Sequence, residues 1–204
     1  MSDGLRNLSL AIVVSAALTG CMGVSDATHP TSMGFTDTTS LPVTTTAPRP
    51  SAGNSSELPV GTHVIEFRAR TGPDIIGHSY ILFGRVGPDG SIVDSTQAGL
   101  YPSDVTGFAF GIAGTQATTE PVALDNAIPP SIIYRRALTP AQYARLSAAI
   151  ADAREDPPAW SWMGYNCNTF VADMAREIGM KTPTGGTWMA PMLFVAQLMD
   201  LNER

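Results

Sequence analysis

A thiol flanked by two carboxamides, in Trp162-Met163-Gly164-Tyr165-Asn166-Cys167-Asn168-Thr169-Phe170-Val171, is the first place where this chain offers chemistry. A cysteine is a strong nucleophile as thiolate, a form favoured at a helix N-terminus and beside an imidazole. Phe170, Val171, Met174, Ala175 and Ile178 recur on one helical face and Gly179 ends the run, so Cys167 stands at a helix start. For the imidazole the choice is among His29, His63 and His78. His29 falls in a low-complexity stretch and His63 at the edge of the domain, whereas His78 opens an apolar strand and is the credible base. A free cysteine is often no more than a small buried hydrophobe; the polar neighbours of Cys167 and the histidine upstream set it apart. No pair of His or Cys has metal-ligand spacing, and no Gly-x-Ser-x-Gly elbow is present. The sequence therefore calls for no metal, no cofactor and no serine nucleophile.

The other cysteine, Cys21, closes Leu18-Thr19-Gly20-Cys21 directly after the apolar run 8–18. That run is shorter than the ~20 residues a membrane span needs, and suits the core of an export signal. Leu-Thr-Gly-Cys resembles the lipobox of bacterial lipoproteins. The resemblance implies a signal peptide over residues 1–20 and a diacylated Cys21 as first mature residue. The protein would be exported and lipid-anchored to a bacterial membrane in the cell envelope. With Cys21 lipidated, Cys167 has no disulfide partner in the chain.

From residue 21 to 58 the chain is dominated by Ser, Thr, Pro and Gly, as in Thr44-Thr45-Thr46-Ala47-Pro48-Arg49-Pro50. Such a segment buries too little apolar surface to offset its ordering entropy. It reads as a disordered tether with a reach of about 30 to 40 Å. Residues 59–204 have the composition of one globular domain. The net charge of −6 over 204 residues gives no grip on a phosphate backbone, which excludes nucleic acid as the expected partner.

Within the domain, residues 64–70 alternate apolar with polar, as a half-buried strand does. Residues 77–86 and 91–95 form a second strand pair around Gly87-Pro88-Asp89-Gly90, a three-residue hairpin loop with glycine in the left-handed position. Residues 131–135 add a strand. Thr139-Pro140-Ala141-Gln142 starts a helix with a capping box and proline at its first position. Tyr143, Leu146, Ile150 and Ala153 are expected on its inner face, and it ends before Pro157. A last helix over 191–201 is suggested by one face carrying Leu193, Phe194, Gln197, Leu198 and Leu201. Residues 99–130 are rich in glycine and proline and receive no element, although Phe108 to Ile112 has the composition of an apolar mouth.

A Gly77-His78 strand opening, a hairpin strand after it, and much later Asn166-Cys167 leading into an apolar helix resemble the circularly permuted branch of the papain-like NlpC-type thiol hydrolases. That branch includes lecithin:retinol acyltransferase-like enzymes, and the wider group includes cell-wall amidases and endopeptidases. In ordinary papain-like order the cysteine precedes the histidine; here His78 precedes Cys167, as permutation requires. The resemblance implies an α+β fold with an antiparallel sheet packed against helices. It also implies a third polar residue, on the strand after the histidine strand, that orients the imidazole. Three residues compete for that role. Asp94 is the best orienter chemically and is picked by counting from the turn. In a straight register, however, it lies opposite Gly84, about 20 Å along the strand from His78. Thr96 lies closer and on the histidine face, and Gln97 needs a bulge to turn that way. For the oxyanion, the Cys167 backbone N–H is a natural donor, with Asn166 or Tyr165 as side-chain partner.

The expected function is a membrane-anchored envelope thiol hydrolase that cleaves an amide, with peptidoglycan peptide as substrate. Alternatives are a thiol acyltransferase or lipid-amide hydrolase acting on an acyl lipid, and a non-catalytic envelope lipoprotein. The anchor is open to direct test: mature wild-type protein should carry a diacylglyceryl mass on Cys21, and Cys21→Ser should remain unprocessed or become soluble. Intact-mass analysis finding no lipid on the wild type would remove the lipoprotein reading.

Overall fold

The computed structural model describes residues 58–72, 77–105 and 109–204. The expected signal peptide, Cys21, His29 and the tether up to residue 57 lie outside the described residues. The structure is α+β, with an antiparallel sheet packed against helices. Strands β1 (His63–Arg70), β2 (His78–Val86) and β3 (Ile92–Gly99) are joined by β6 (Ile132–Ala137) in the order β3-β2-β1-β6, every neighbour antiparallel. Strand alternation sorts the rungs. Ile65↔Phe83, Phe67↔Ile81 and Ala69↔Ser79 face one way, while Glu66↔Leu82, Arg68↔Tyr80 and Arg70↔His78 face the other.

The first of these faces carries the core. Helix α2 (Pro140–Glu155) contributes Leu146 and Ile150, α3 (Cys167–Glu177) contributes Phe170, Val171, Met174 and Ala175, and α4 (Pro191–Glu203) contributes Phe194, Val195 and Leu198. Helix α2 starts in the expected capping box, with Gln142 N–H donating to Thr139 and the Gln142 side chain accepting from the Thr139 N–H. On α4 the expected face is shifted. Leu193 and Leu201 are exposed, and the buried stripe is Pro191, Phe194, Val195 and Leu198. Those four follow the i, i+3, i+4, i+7 pattern of a core-facing helix, which a run of apolar residues on several sides had obscured.

The β2–β3 hairpin has the expected turn. Gly87 N–H donates to Ser91 O at 2.8 Å, and Gly90 sits at φ +78°, a conformation that glycine adopts without steric cost. Beyond the turn the register departs from a straight ladder. Arg85 pairs with Val93 but Phe83 pairs with Thr96, so Asp94 and Ser95 together oppose Gly84 in a β-bulge, with Asp94 at φ +49°. A one-residue slip moves every later side chain of β3 to the other face. It turns Thr96 to the Phe83 side and Gln97 to the His78 side, and sets Tyr80 opposite Gly99.

Residues 99–130 contain short pieces that no period reveals. Strands β4 (Tyr101–Pro102) and β5 (Ala117–Thr118) pair with each other, a π-helical turn spans Ala109–Ala113, and α1 (Ala123–Ala127) follows. Phe108 lies outside the described residues, and Ile112 is exposed rather than part of an apolar mouth.

Candidate active site

Cys167 is the first residue of α3, and Asn166 is its N-cap. The Asn166 Oδ1 accepts from Asn168 N–H at 3.0 Å and Thr169 N–H at 3.4 Å, while the Thr169 hydroxyl accepts from Asn166 N–H. This reciprocal cap satisfies backbone donors that a buried helix start would otherwise leave unpaired. Asn168 anchors the next turn. Its Oδ1 accepts from Ser79 Oγ at 2.8 Å, and its Nδ2 donates to Gly186 O at 2.8 Å and Met189 O at 2.9 Å. One carboxamide therefore ties α3 to β2 and to the 3-10 turn Gly186–Trp188.

Cys167 and His78 both line a cavity of about 880 Å³, and each is almost completely buried. Much of the wall is apolar, with Val105, Leu124, Trp160, Trp162, Trp188 and Met189. Ser79 hydrogen-bonds to the Cys167 thiol and directly follows His78 in β2. Alternation aims the two neighbours to opposite faces, Ser79 toward α3 and His78 toward Tyr80. His63 is a packing histidine at the far end of β1, its ring 4.1 Å from that of Tyr143.

The thiol is in its neutral form at rest. Burial pushes its pKa up, and hydrogen bonds from Ser79 and from the backbone N–H groups of Asn168 and Cys167 only partly oppose this. The expected thiolate-favouring effect of the helix start is thus present but outweighed by desolvation.

None of the three expected orienting residues reaches His78. Asp94 protrudes from the bulge at the turn end of the hairpin, largely exposed and ion-paired with Arg85. Thr96 opposes Phe83 on the other face, and Gln97 opposes Leu82, on the histidine face but four residues, about 13 Å, along the strand. The expected oxyanion side chains are also engaged elsewhere. Tyr165 donates to Asp173 Oδ2 at 2.5 Å, and Asn166 Nδ2 donates to Thr187 O at 2.9 Å and Trp162 O at 3.4 Å. The Cys167 backbone N–H, at the first position of α3, remains the donor that the geometry offers.

The imidazole instead meets Tyr101, whose ring centroid is 4.4 Å away. The Tyr101 hydroxyl donates to Asp125 Oδ2, and Asp125 Oδ1 accepts from Arg70 Nε at 2.7 Å. Asp125 and Arg70 are both buried, and Arg70 lines the cavity. Tyr101 and Asp125 lie in the stretch that received no element from sequence. The signal that the sequence did carry is Gly84, since a glycine inside a strand pattern marks a bulge, and the bulge there shifts the β2–β3 register by one. Among the described residues, no group of three or more His, Cys, Asp or Glu is placed to hold a metal ion.

No family model, curated protein or solved structure matches this chain.

The thiol's environment makes a pH-dependent prediction. Because burial raises the Cys167 pKa, alkylation by iodoacetamide should reach half its limiting rate above the ordinary cysteine value of about 8.5. Stopped alkylation followed by mass spectrometry across pH 6 to 10 gives the profile. A midpoint below about pH 7 would mean that an imidazolium, not burial, sets the state of this thiol.

Proposed function

We propose that this domain is a thiol hydrolase of the circularly permuted papain-like type, anchored to the envelope membrane through Cys21, that cleaves an amide bond. The observation that carries the reading is the cavity shared by a thiol at a capped helix start and an imidazole at a strand end, in histidine-then-cysteine order. Cys167 Sγ attacks the substrate carbonyl as its proton passes to His78, and the oxyanion forms against the Cys167 N–H. Collapse of the tetrahedral adduct expels the amine, which takes the proton from His78. Water, deprotonated by His78, then attacks the thioester and releases the acid with the thiol restored. A resting neutral thiol suits this sequence, because His78 acts as general base at the moment of attack.

The resemblance points to the peptide of peptidoglycan as substrate. The Trp, Met, Val and Leu side chains of the cavity wall favour a second reading, in which the acyl group transferred to Cys167 is a lipid chain and the reaction is lipid-amide hydrolysis or acyl transfer. Incubation with muropeptides and with amide-linked or ester-linked lipids separates them by mass spectrometry of the products. Either substrate should leave an acyl mass on Cys167 at early times, and Cys167→Ala should abolish turnover. Loss of His78 should slow acylation by about 10² to 10⁴, the usual contribution of a general base. Binding without turnover, unaffected by Cys167→Ala, would establish a non-catalytic lipoprotein.

A further inference from the structure

Trp188 is 61% exposed, although it belongs to the wall of the cavity that Cys167 lines. A single exposed apolar side chain is ordinary; what sets this one apart is how firmly its backbone is held. Gly185, at φ +71°, opens the 3-10 turn Gly186–Trp188, and Trp188 N–H donates back to Gly185 O at 3.1 Å. Asn166 Nδ2 donates to Thr187 O at 2.9 Å, and Asn168 Nδ2 donates to Gly186 O at 2.8 Å and Met189 O at 2.9 Å. The hydroxyls of Thr169 and Thr187 are 3.2 Å apart. On its inner side the turn rests on the core, since a Cβ at Gly186 would lie 2.9 Å from two ring carbons of the buried Phe194. Asn166 and Asn168 are the two chain neighbours of Cys167, so the turn is tied down on each side of the thiol. Gly186 has no side chain and Thr187 engages Thr169, which leaves the indole of Trp188 as the group that the turn presents.

The wall that the indole continues is apolar and uncharged. Trp160 and Trp162 stand 6.4 Å apart between ring centroids, and Val105, Leu124 and Met189 complete the surface. The two segments that supply most of it, residues 157–172 and 182–199, contain no Asp, Glu, Lys or Arg. Among the described residues that line the cavity Arg70 is the one permanent ion, and its Nε is bound to the Asp125 carboxylate. A charged group drawn along this wall would lose its water and gain no counter-ion, which is costly, whereas an alkyl chain is stabilised by the same transfer. A rigid indole offers such a chain a broad apolar face at little cost in ordering.

We infer that Trp188 is a specificity-determining residue of this cavity, a fixed platform on which the acyl side of the substrate lies, and that it selects unbranched apolar acyl groups over short or charged ones. This rests on the reading of Cys167 as the nucleophile. The hydrogen bonds from Asn166 and Asn168 set the distance between platform and thiol, so the platform holds an acyl chain whose carbonyl is already at Sγ. Selection then acts on the acylation step itself, and each methylene taken from water contributes roughly fourfold in rate.

The test compares p-nitrophenyl acetate with p-nitrophenyl octanoate on the full chain, read as p-nitrophenol release and as an acyl mass on Cys167. In each case the S–C bond forms, the ester C–O bond breaks, and the thiol proton leaves with p-nitrophenol. The wild type should acylate faster with octanoate, and Trp188→Ala should lower the octanoate-to-acetate rate ratio about tenfold or more, while Trp188→Phe, which keeps a ring, should retain most of it. The ratio is internal to each protein, so a smaller folded fraction in a variant does not change it. If both esters acylate Cys167 and Trp188→Ala leaves the ratio as in the wild type, Trp188 sets no specificity and the nucleophile reading survives. If neither ester leaves a mass on Cys167, the nucleophile reading fails, and binding decides the platform. Calorimetry with octanamide should then show affinity in Cys167→Ala that is lost in the Cys167→Ala, Trp188→Ala double variant; equal affinity in the two, or binding to neither, overturns the inference.

Discussion

The side chain of Asn168 makes three hydrogen bonds, to Ser79, Gly186 and Met189, and through them holds both walls of the cavity. A buried carboxamide with this many partners is geometrically exacting, because removing any one leaves a polar group unpaired at a cost of about 1 to 3 kcal/mol. The Ser79 bond fixes the first turn of α3 against β2, one residue from His78. The bonds to Gly186 and Met189 hold the segment bearing Trp188 over the cavity. Cys167, between this clasp and the Asn166 cap, has its position set by backbone and amide chemistry together with the Ser79 hydrogen bond to its thiol. The apolar stripe of Phe170, Val171, Met174 and Ala175 then seats the helix on the sheet.

Burial is the price of that placement. Desolvation holds the thiol in its neutral form, in opposition to the helix start and Ser79. Activation must therefore come from a base acting as substrate binds, which makes the orientation of His78 matter more than it would for a preformed thiolate. The buried Arg70–Asp125 pair fits such a need. An ion pair removed from water adds little net stability; this one binds the Tyr101 hydroxyl, and the Tyr101 ring lies 4.4 Å from the imidazole. The apolar walls serve the same end by excluding water from the thiol.

What the sequence made legible follows from the range of the interactions involved. The capping box at Thr139, the Asn166-Cys167 helix start and the Gly90 turn are decided by residues within a few positions of one another, and each is found where expected; β1 is a strand as expected, but buried on both faces rather than half-buried, Glu66 and Arg70 included. The face of α4 was misjudged because its apolar residues surround the axis and only tertiary packing selects Phe194 and Leu198 over Leu193 and Leu201. The three orienting candidates lie away from His78 for a sharper reason. Asp94 was counted from the turn and Thr96 on a straight ladder, and the bulge at Gly84 moves the ladder by one, which turns Gln97 to the histidine face but leaves it opposite Leu82. Tyr101 and Asp125 come from pieces of two and five residues, too short for a period to exist.

The account stands on the functional coupling of Cys167 to His78 across the cavity that both line. An NMR titration of the His78 imidazole measures it without a substrate, in protein with a free Cys167 and in protein whose Cys167 is capped as the methyl disulfide. If thiol and imidazole share a proton-transfer geometry, capping should raise the His78 pKa by about half a unit or more, because it removes the S–H that donates to the neutral imidazole. Identical titration curves in the two forms would show that the groups line the same cavity without acting together, and would contradict the assignment of this site as a thiol hydrolase.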